Sequence, residues 1–247
     1  MKETSTSIQG KDNIPIEWLP ILAYHKIGTQ KELGITWIAP SVFEKQIAFL
    51  HSEQYQTVSP NDLTEALLEK RKLPEKSVMI TFDDGYRNNF EIAAPLLFEL
   101  KIPFSVFVIT DFIKQANKKF MNESMLKELA SHPLVSIGSH SQTHVRLTKC
   151  SPKELTNEIS GSKSYLEDLL GKEIDMFSYP HGDFNAIVRS EVSKAGYKLG
   201  FTSHYDVNKK TQDKLKLNRN EIWNTDDLST LKKKLQGNFD WLKYRSL

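Results

Sequence analysis

The stretch SVMITFDDGYRNNFEIAAPLLFELKIPFSVFVI, residues 77–109, decides the fold. It begins and ends on β-branched and aromatic runs, SVMITF (77–82) and PFSVFVI (103–109), that read as strands, with an amphipathic stretch between them. The same alternation continues on both sides. ILAYH (21–25), QTVS (56–59), VSIG (135–138), DMFSY (175–179), LGFT (199–202) and LKLNRNEIW (215–223) are further strand candidates. About eight strands alternating with helices predict βα units and a parallel sheet. A doubly wound sheet predicts a phosphate-binding glycine turn after its first strand, but ILAYH is followed by KIGTQKELG, without G-x-G-x-x-G spacing. The fold class read from the sequence is therefore α/β, a complete or distorted (β/α) barrel with seven or eight parallel strands in a single domain.

Local signals place the helices. Ser41 with Glu44, and Ser151 with Glu154 behind Pro152, have capping-box spacing. Phe43, Ile47 and Leu50 recur at helical spacing and predict a face packed on the sheet. Gly171, Gly196 and Gly237 stand where helices close on a left-handed residue.

Composition narrows the function. With 33 Lys and Arg against 31 Asp and Glu, the formal net charge is +2, too even for a nucleic-acid or polybasic membrane binder. One cysteine, Cys150, excludes an intramolecular disulfide framework and a multi-cysteine zinc knuckle. The richest apolar region, 93–110, is interrupted by Pro95, Glu99, Lys101 and Pro103, so no transmembrane segment is expected. Residues 1–18 read as a flexible N-terminal segment and 19–247 as the folded domain. The N-terminus has no apolar secretory stretch, so the expected location is cytoplasmic unless a leader has been removed.

Chemistry-bearing residues cluster just after predicted strands, the end of a (β/α) barrel where active sites are built. TFDDG (81–85) sets two carboxylates before a glycine; adjacent carboxylates repel unless a cation or proton joins them, although Asp-Asp-Gly alone is also an ordinary surface turn. GSHSQTH (138–144) places His140 and His144 four apart, and a helical turn from Ser141 to His144 would project both imidazoles from one face. One Asp and two His supply three ligands and leave positions open for water and substrate, the pattern of a catalytic metal.

TFDDG, then SHSQTH, then FSYPHG resembles the polysaccharide deacetylase family, also called carbohydrate esterase family 4 or the NodB-homology domain. The resemblance runs from about Leu19 to Leu235, and LPILAYHKIG with FSYPHG is most like the poly-N-acetylglucosamine deacetylase branch. It implies a distorted (β/α) barrel, an N-acetylated carbohydrate substrate, and one divalent metal ion per chain, zinc by preference. It implies Asp83 as general base, Asp84, His140 and His144 as metal ligands, Tyr179, Pro180 and His181 at the substrate, and the His181 amide as oxyanion donor.

Two departures stand out. The family's base-orienting Arg near Ser178 is absent, and the usual Leu-x-His, whose His is the general acid, reads Leu217-Asn218-Arg219. Arg219 is the candidate replacement for the first, by pairing with Asp83. His25 is the candidate acid, with His181 competing. His51 and His132 read as a helix end and a turn, His204 as a strand-end residue, and Trp37, Tyr86 and Trp223 as core or sugar-stacking aromatics. The expected function is hydrolysis of N-acetyl groups from an amino sugar of a polysaccharide or glycan precursor. An O-acetyl esterase is the alternative; a non-catalytic carbohydrate-binding module and a mononuclear iron oxygenase are disfavoured by the intact Asp83 beside the ligand set.

Overall fold

The computed structural model describes residues 19–28, 34–115, 117–209 and 211–237. Segment 1–18 lies outside the described residues, as does the end of the domain beyond residue 237. Seven strands carry the architecture: β1 (Ile21–Tyr24), β2 (Ser77–Phe82), β3 (Phe104–Val108), β4 (Val135–Ser139), β5 (Met176–Ser178), β6 (Leu199–Phe201) and β7 (Asn220–Glu221). They form one parallel sheet in the order β7-β1-β2-β3-β4-β5-β6, and the short strand Gln56–Thr57 pairs in parallel with the start of β2. The sheet curls into a distorted barrel, because the segment leading into β7 touches both edges. Leu217 bridges Phe201 of β6, while Asn220 and Glu221 pair with Leu22 and Ala23 of β1. Hence the predicted strand 215–223 keeps only two ladder residues: the chain crosses from one edge to the other within it.

Side chains alternate across each strand. Leu22, Tyr24, Val78, Ile80, Phe82, Phe104 and Val106 belong to the larger core between sheet and helices. Ile21, Met79, Phe107, Met176, Leu199, Phe201 and Leu217 form a second core inside the barrel. Gly138 faces that interior opposite Phe107, where an added Cβ would stand 2.5 Å from the Phe107 ring, so no side chain fits. The alternation also sets the chemistry. Thr81 and Asp83 follow Met79 on the inward side of β2, Ser178 follows Met176, and His25 follows Ile21 and Ala23. The interior is therefore apolar at its base and polar at the C-terminal mouth.

The helices mostly start where the sequence marks them. Ser151 and Glu154 form a reciprocal capping box for helix Pro152–Thr156. A second box, Ser59 with Asp62 behind Pro60, starts helix Pro60–Leu67 and went unread in the sequence. The predicted box at Ser41 and Glu44 is corrected: helix Pro40–Ser52 begins two residues earlier than Ser41 as N-cap would set it, with Ala39 as an N-cap that makes no side-chain bond. Pro40 takes the first helical position, since its ring presets φ and its missing N–H is not needed there. Phe43, Ile47 and Leu50 of that helix are buried as expected. Gly171, Gly196 and Gly237 all adopt positive φ after helices. Among the described residues no helix is long and apolar enough to cross a membrane.

Candidate active site

A straight continuation of β2 would send Asp83 inward and Asp84 outward. Instead Asp84 (φ 71°) and Gly85 (φ 74°) both take left-handed backbone, and the chain swings across the barrel mouth. The two carboxylates then converge: Asp83 Oδ2 and Asp84 Oδ1 lie 3.8 and 3.6 Å from one atom, His140 Nε2. Seven non-glycine residues among those described have positive φ. Gln54, Glu69 and Lys101 follow helix ends, whereas Asp84, Ser141, His144 and His181 surround this mouth. Such conformations cost about 1–3 kcal/mol each and persist only where the surroundings impose them.

The surroundings are visible at the histidine loop, which is not the helical turn expected from the four-residue spacing. Ser141 and His144 both have φ near 66° and the segment between them is irregular. It is shaped by side-chain acceptors. The Ser141 hydroxyl accepts the His144 N–H at 3.0 Å. Buried Glu158 accepts the Gln142 N–H (3.0 Å), the Thr143 N–H (2.9 Å) and the Thr143 hydroxyl (2.6 Å). Glu158 sits in a one-turn π-helix, Asn157–Gly161, inserted between helices Pro152–Thr156 and Ser162–Leu170. Such insertions recur at functional sites. Sequence reasoning missed Glu158, since nothing local distinguishes it from other helical glutamates.

Asp84, His140 and His144 each bring one ligand atom within 4.8 Å of the others. Three features fit a metal ion. Asp84 Oδ1 is buried without a hydrogen-bond partner. The Ser178 carbonyl accepts from His140 Nδ1 at 2.8 Å, which leaves the Nε2 lone pair facing the cluster. Burial, with His140 alongside, pushes the His144 imidazole down to about 4, so near neutral pH it is in the metal-binding form.

Asp83 is held separately. Arg219, fully buried, donates from its two terminal nitrogens to the two Asp83 oxygens at 2.7 and 2.6 Å. It also donates to the Ser178 hydroxyl at 2.8 Å and, through Nε, to the Thr202 carbonyl at 2.9 Å, and its guanidinium lies over the Phe107 ring. Burial alone would raise the Asp83 carboxyl; Arg219, then His140 and His25, hold it well below the usual carboxylate range. One buried carboxylate locked by a guanidinium, next to three converging metal-type ligands, can accept a proton beside a polarised substrate.

The polysaccharide deacetylase profile matches residues 70–200, a span that includes TFDDG, the histidine loop and FSYPHG. The chain belongs to the polysaccharide deacetylase family. It is 32% identical over 218 residues to YxkH of Bacillus subtilis, covering 88% of this chain and 76% of that protein. It is 29% identical over 189 residues to the poly-β-1,6-N-acetyl-D-glucosamine N-deacetylase of Staphylococcus aureus, of whose length it spans 63%. Among solved structures it resembles the deacetylase PplD of Streptococcus pyogenes in complex with acetate, with a TM-score of 0.82 and 26% identity over 88% of this chain and 98% of that one.

Against the family pattern, Arg219 reaches Asp83 from the lead-in to β7, the strand next to β1, where the sequence has no Arg near Ser178. His25 follows β1 directly, near enough to act electrostatically on Asp83, and its Nδ1 is buried without a partner. His181 also reaches the mouth: it is exposed, left-handed in backbone, and its ring lies 4.5 Å from that of His144. The expectation for Tyr179 and Pro180 is corrected. Both are buried, and the Tyr179 hydroxyl donates to the Leu215 carbonyl at 2.9 Å. Because Ser178 points inward, alternation turns Tyr179 into the outer core, where its ring packs on Phe177 and Phe184. His132 stacks on Phe98 beyond a helix end, as read from the sequence.

Glu158→Ala is expected to weaken affinity for added zinc about 10–100-fold, the usual effect of losing an outer-shell partner, because the Gln142 and Thr143 N–H groups that shape the loop lose their acceptor. Competition titration against a chromophoric chelator measures it. Unchanged affinity would show that the loop holds its shape without the carboxylate.

Proposed function

We propose that this chain is a metal-dependent hydrolase that removes N-acetyl groups from an amino sugar of a polysaccharide or glycan precursor. The observation that carries the reading is the separation of roles at the mouth: Asp83 is clamped by Arg219, while Asp84, His140 and His144 converge beside it. Asp84, His140 and His144 would hold a divalent ion, with zinc best suited to the donor set, and the ion would polarise the acetyl carbonyl and lower the pKa of a water toward neutrality.

Asp83, ionised and oriented by Arg219, accepts the proton of the attacking water as its oxygen bonds to the acetyl carbon. The His181 backbone N–H stabilises the negative charge developing on the carbonyl oxygen. As the C–N bond breaks, His25 delivers a proton to the departing nitrogen, so that acetate and a free amine leave. The name of the Staphylococcus aureus relative supports N- over O-deacetylation.

The test is acetate release. N-acetylglucosamine oligomers should yield acetate, chelation should abolish it, and about one zinc per chain should restore it. Release only from acetylated xylan would make the protein an O-acetyl esterase, and release from neither would overturn the reading. Metal content should fall in His140→Ala and in His144→Ala.

His25→Ala should lower acetamide hydrolysis by about 10²-fold or more while sparing p-nitrophenyl acetate, whose leaving group needs no proton, and it should leave metal content intact. Equal losses on both substrates would mean structural damage. No loss on either would move the acid to His181 or to water.

A further inference from the structure

A cavity of about 210 Å³ opens beside the mouth. Its lining carries four cations, Lys26, Arg87, Lys118 and Lys119, against one carboxylate, Glu91. That excess is local, since the whole chain is nearly balanced at +2. The cavity is built from the elements that carry the site. Lys26 follows His25 directly, and Arg87 lies three residues beyond Asp84, opening the helical segment after the Asp84-Gly85 turn. The loop bearing Lys118 and Lys119 is stitched to that turn by Met121 N–H to the Gly85 carbonyl (3.0 Å) and Arg87 N–H to the Lys119 carbonyl (2.9 Å). Tyr86 stacks on Phe120 at 4.9 Å, and the Lys26 ammonium lies over the Tyr86 ring, 4.8 Å from its centre.

Arg87 supplies the observation that points to a ligand. Its Nε is buried without an acceptor, and its guanidinium meets Glu91 only at 3.8 Å. A planar guanidinium fork with donor capacity to spare, flanked by lysine point charges, suits a phosphoryl group, whose several oxygens accept hydrogen bonds and whose charge of up to two engages more than one cation at once. A neutral sugar would offer the Arg87 fork no counter-charge.

We propose that this cavity binds a phosphoryl group carried by the substrate, so that the enzyme selects an acetylated amino sugar attached to phosphate over a neutral glycan. The proposal rests on the deacetylase reading for its account of why the ligand is there, but its test reads affinity separately from acetate release. Three sources share the chemistry: a nucleotide diphosphate, a lipid diphosphate, and a phosphodiester within a glycan.

The metal-loaded wild type and the double variant Arg87→Gln, Lys119→Gln are compared by calorimetry. The probes are UDP-N-acetylglucosamine, farnesyl-diphospho-N-acetylglucosamine, the methyl diester of N-acetylglucosamine-1-phosphate, and neutral triacetylchitotriose. Any attraction of phosphate to the metal is common to both proteins and cancels in the comparison. The variant should lose about tenfold or more in affinity for the phosphorylated probes and stay within about twofold for the neutral one. Rising ionic strength should weaken the phosphorylated probes and not the neutral one, and more steeply in the wild type than in the variant. The probe held tightest identifies the source. Equal affinities of the two proteins for every phosphorylated probe, or wild-type binding of phosphorylated and neutral probes alike, overturns the proposal. Failure of acetate release with the affinity difference intact would instead reject the deacetylase reading.

Discussion

Asp83→Asn is expected to cut turnover about 10²–10⁴-fold while metal content is retained, because the amide is nearly isosteric but cannot accept the proton of the attacking water. Asp83 is not one of the three converging ligand residues, so the ion should stay. Judged from sequence alone, the substitution should also be neutral for the fold. The structure alters that expectation. Arg219 is fully buried and both its terminal nitrogens donate to the Asp83 carboxylate, so neutralising Asp83 leaves a buried cation without its counter-charge. Breaking such a pair from one side costs about 3–5 kcal/mol. The variant should therefore be assayed well below its lowered melting temperature, with folding checked by circular dichroism. Near-normal activity would remove Asp83 from the mechanism, and loss of metal would make it a ligand.

Arg219→Met should be the most damaging single change outside the ligand set, with about 3–5 kcal/mol lost at pH 7 and acetate release reduced through a misplaced, partly protonated base. The sign of its pH dependence follows from the wild-type pair. With Arg219 present the Asp83 carboxyl is depressed, so it contributes stability above the unfolded carboxylate value of about 3.9, lost only as pH falls through the lower folded value. Without Arg219, burial dominates and raises the carboxyl above its unfolded value. The unfolded chain then ionises first, and stability declines as pH rises past about 4. The melting-temperature gap between wild type and variant should thus be widest near pH 7 and shrink at pH 4. The acid limb of kcat/KM should move to higher pH in the variant. Arg219→Lys keeps the charge but loses the fork, and should recover only part of the activity. The double variant Asp83→Asn, Arg219→Met should be more stable than the sum of its parts, since neither charge is left alone. A gap that is constant with pH, together with strict additivity, would mean that the pair is not coupled.

The sequence by itself determined the sheet and the residues of the candidate ligand cluster. Strand runs such as SVMITF and the pairs Asp83-Asp84 and His140-His144 are local patterns, and the one-in-two alternation that sends Met79, Thr81 and Asp83 to one side is a property of any strand. It also determined helix ends where a local device suffices, as at Ser151 and Glu154. Tertiary structure alone decided how those residues face one another. Whether Arg219 meets a carboxylate 136 residues earlier depends on the segment before β7 crossing between the two sheet edges. The loop on which His140 and His144 converge is held by hydrogen bonds to Glu158 from a later helix, and Tyr179, which motif position alone sets at the substrate, is turned into the core by the inward Ser178. Periodicity and spacing act within a few residues. A guanidinium and a carboxylate from opposite ends of the chain find each other only once the barrel interior has excluded water, making each the best available partner for the other.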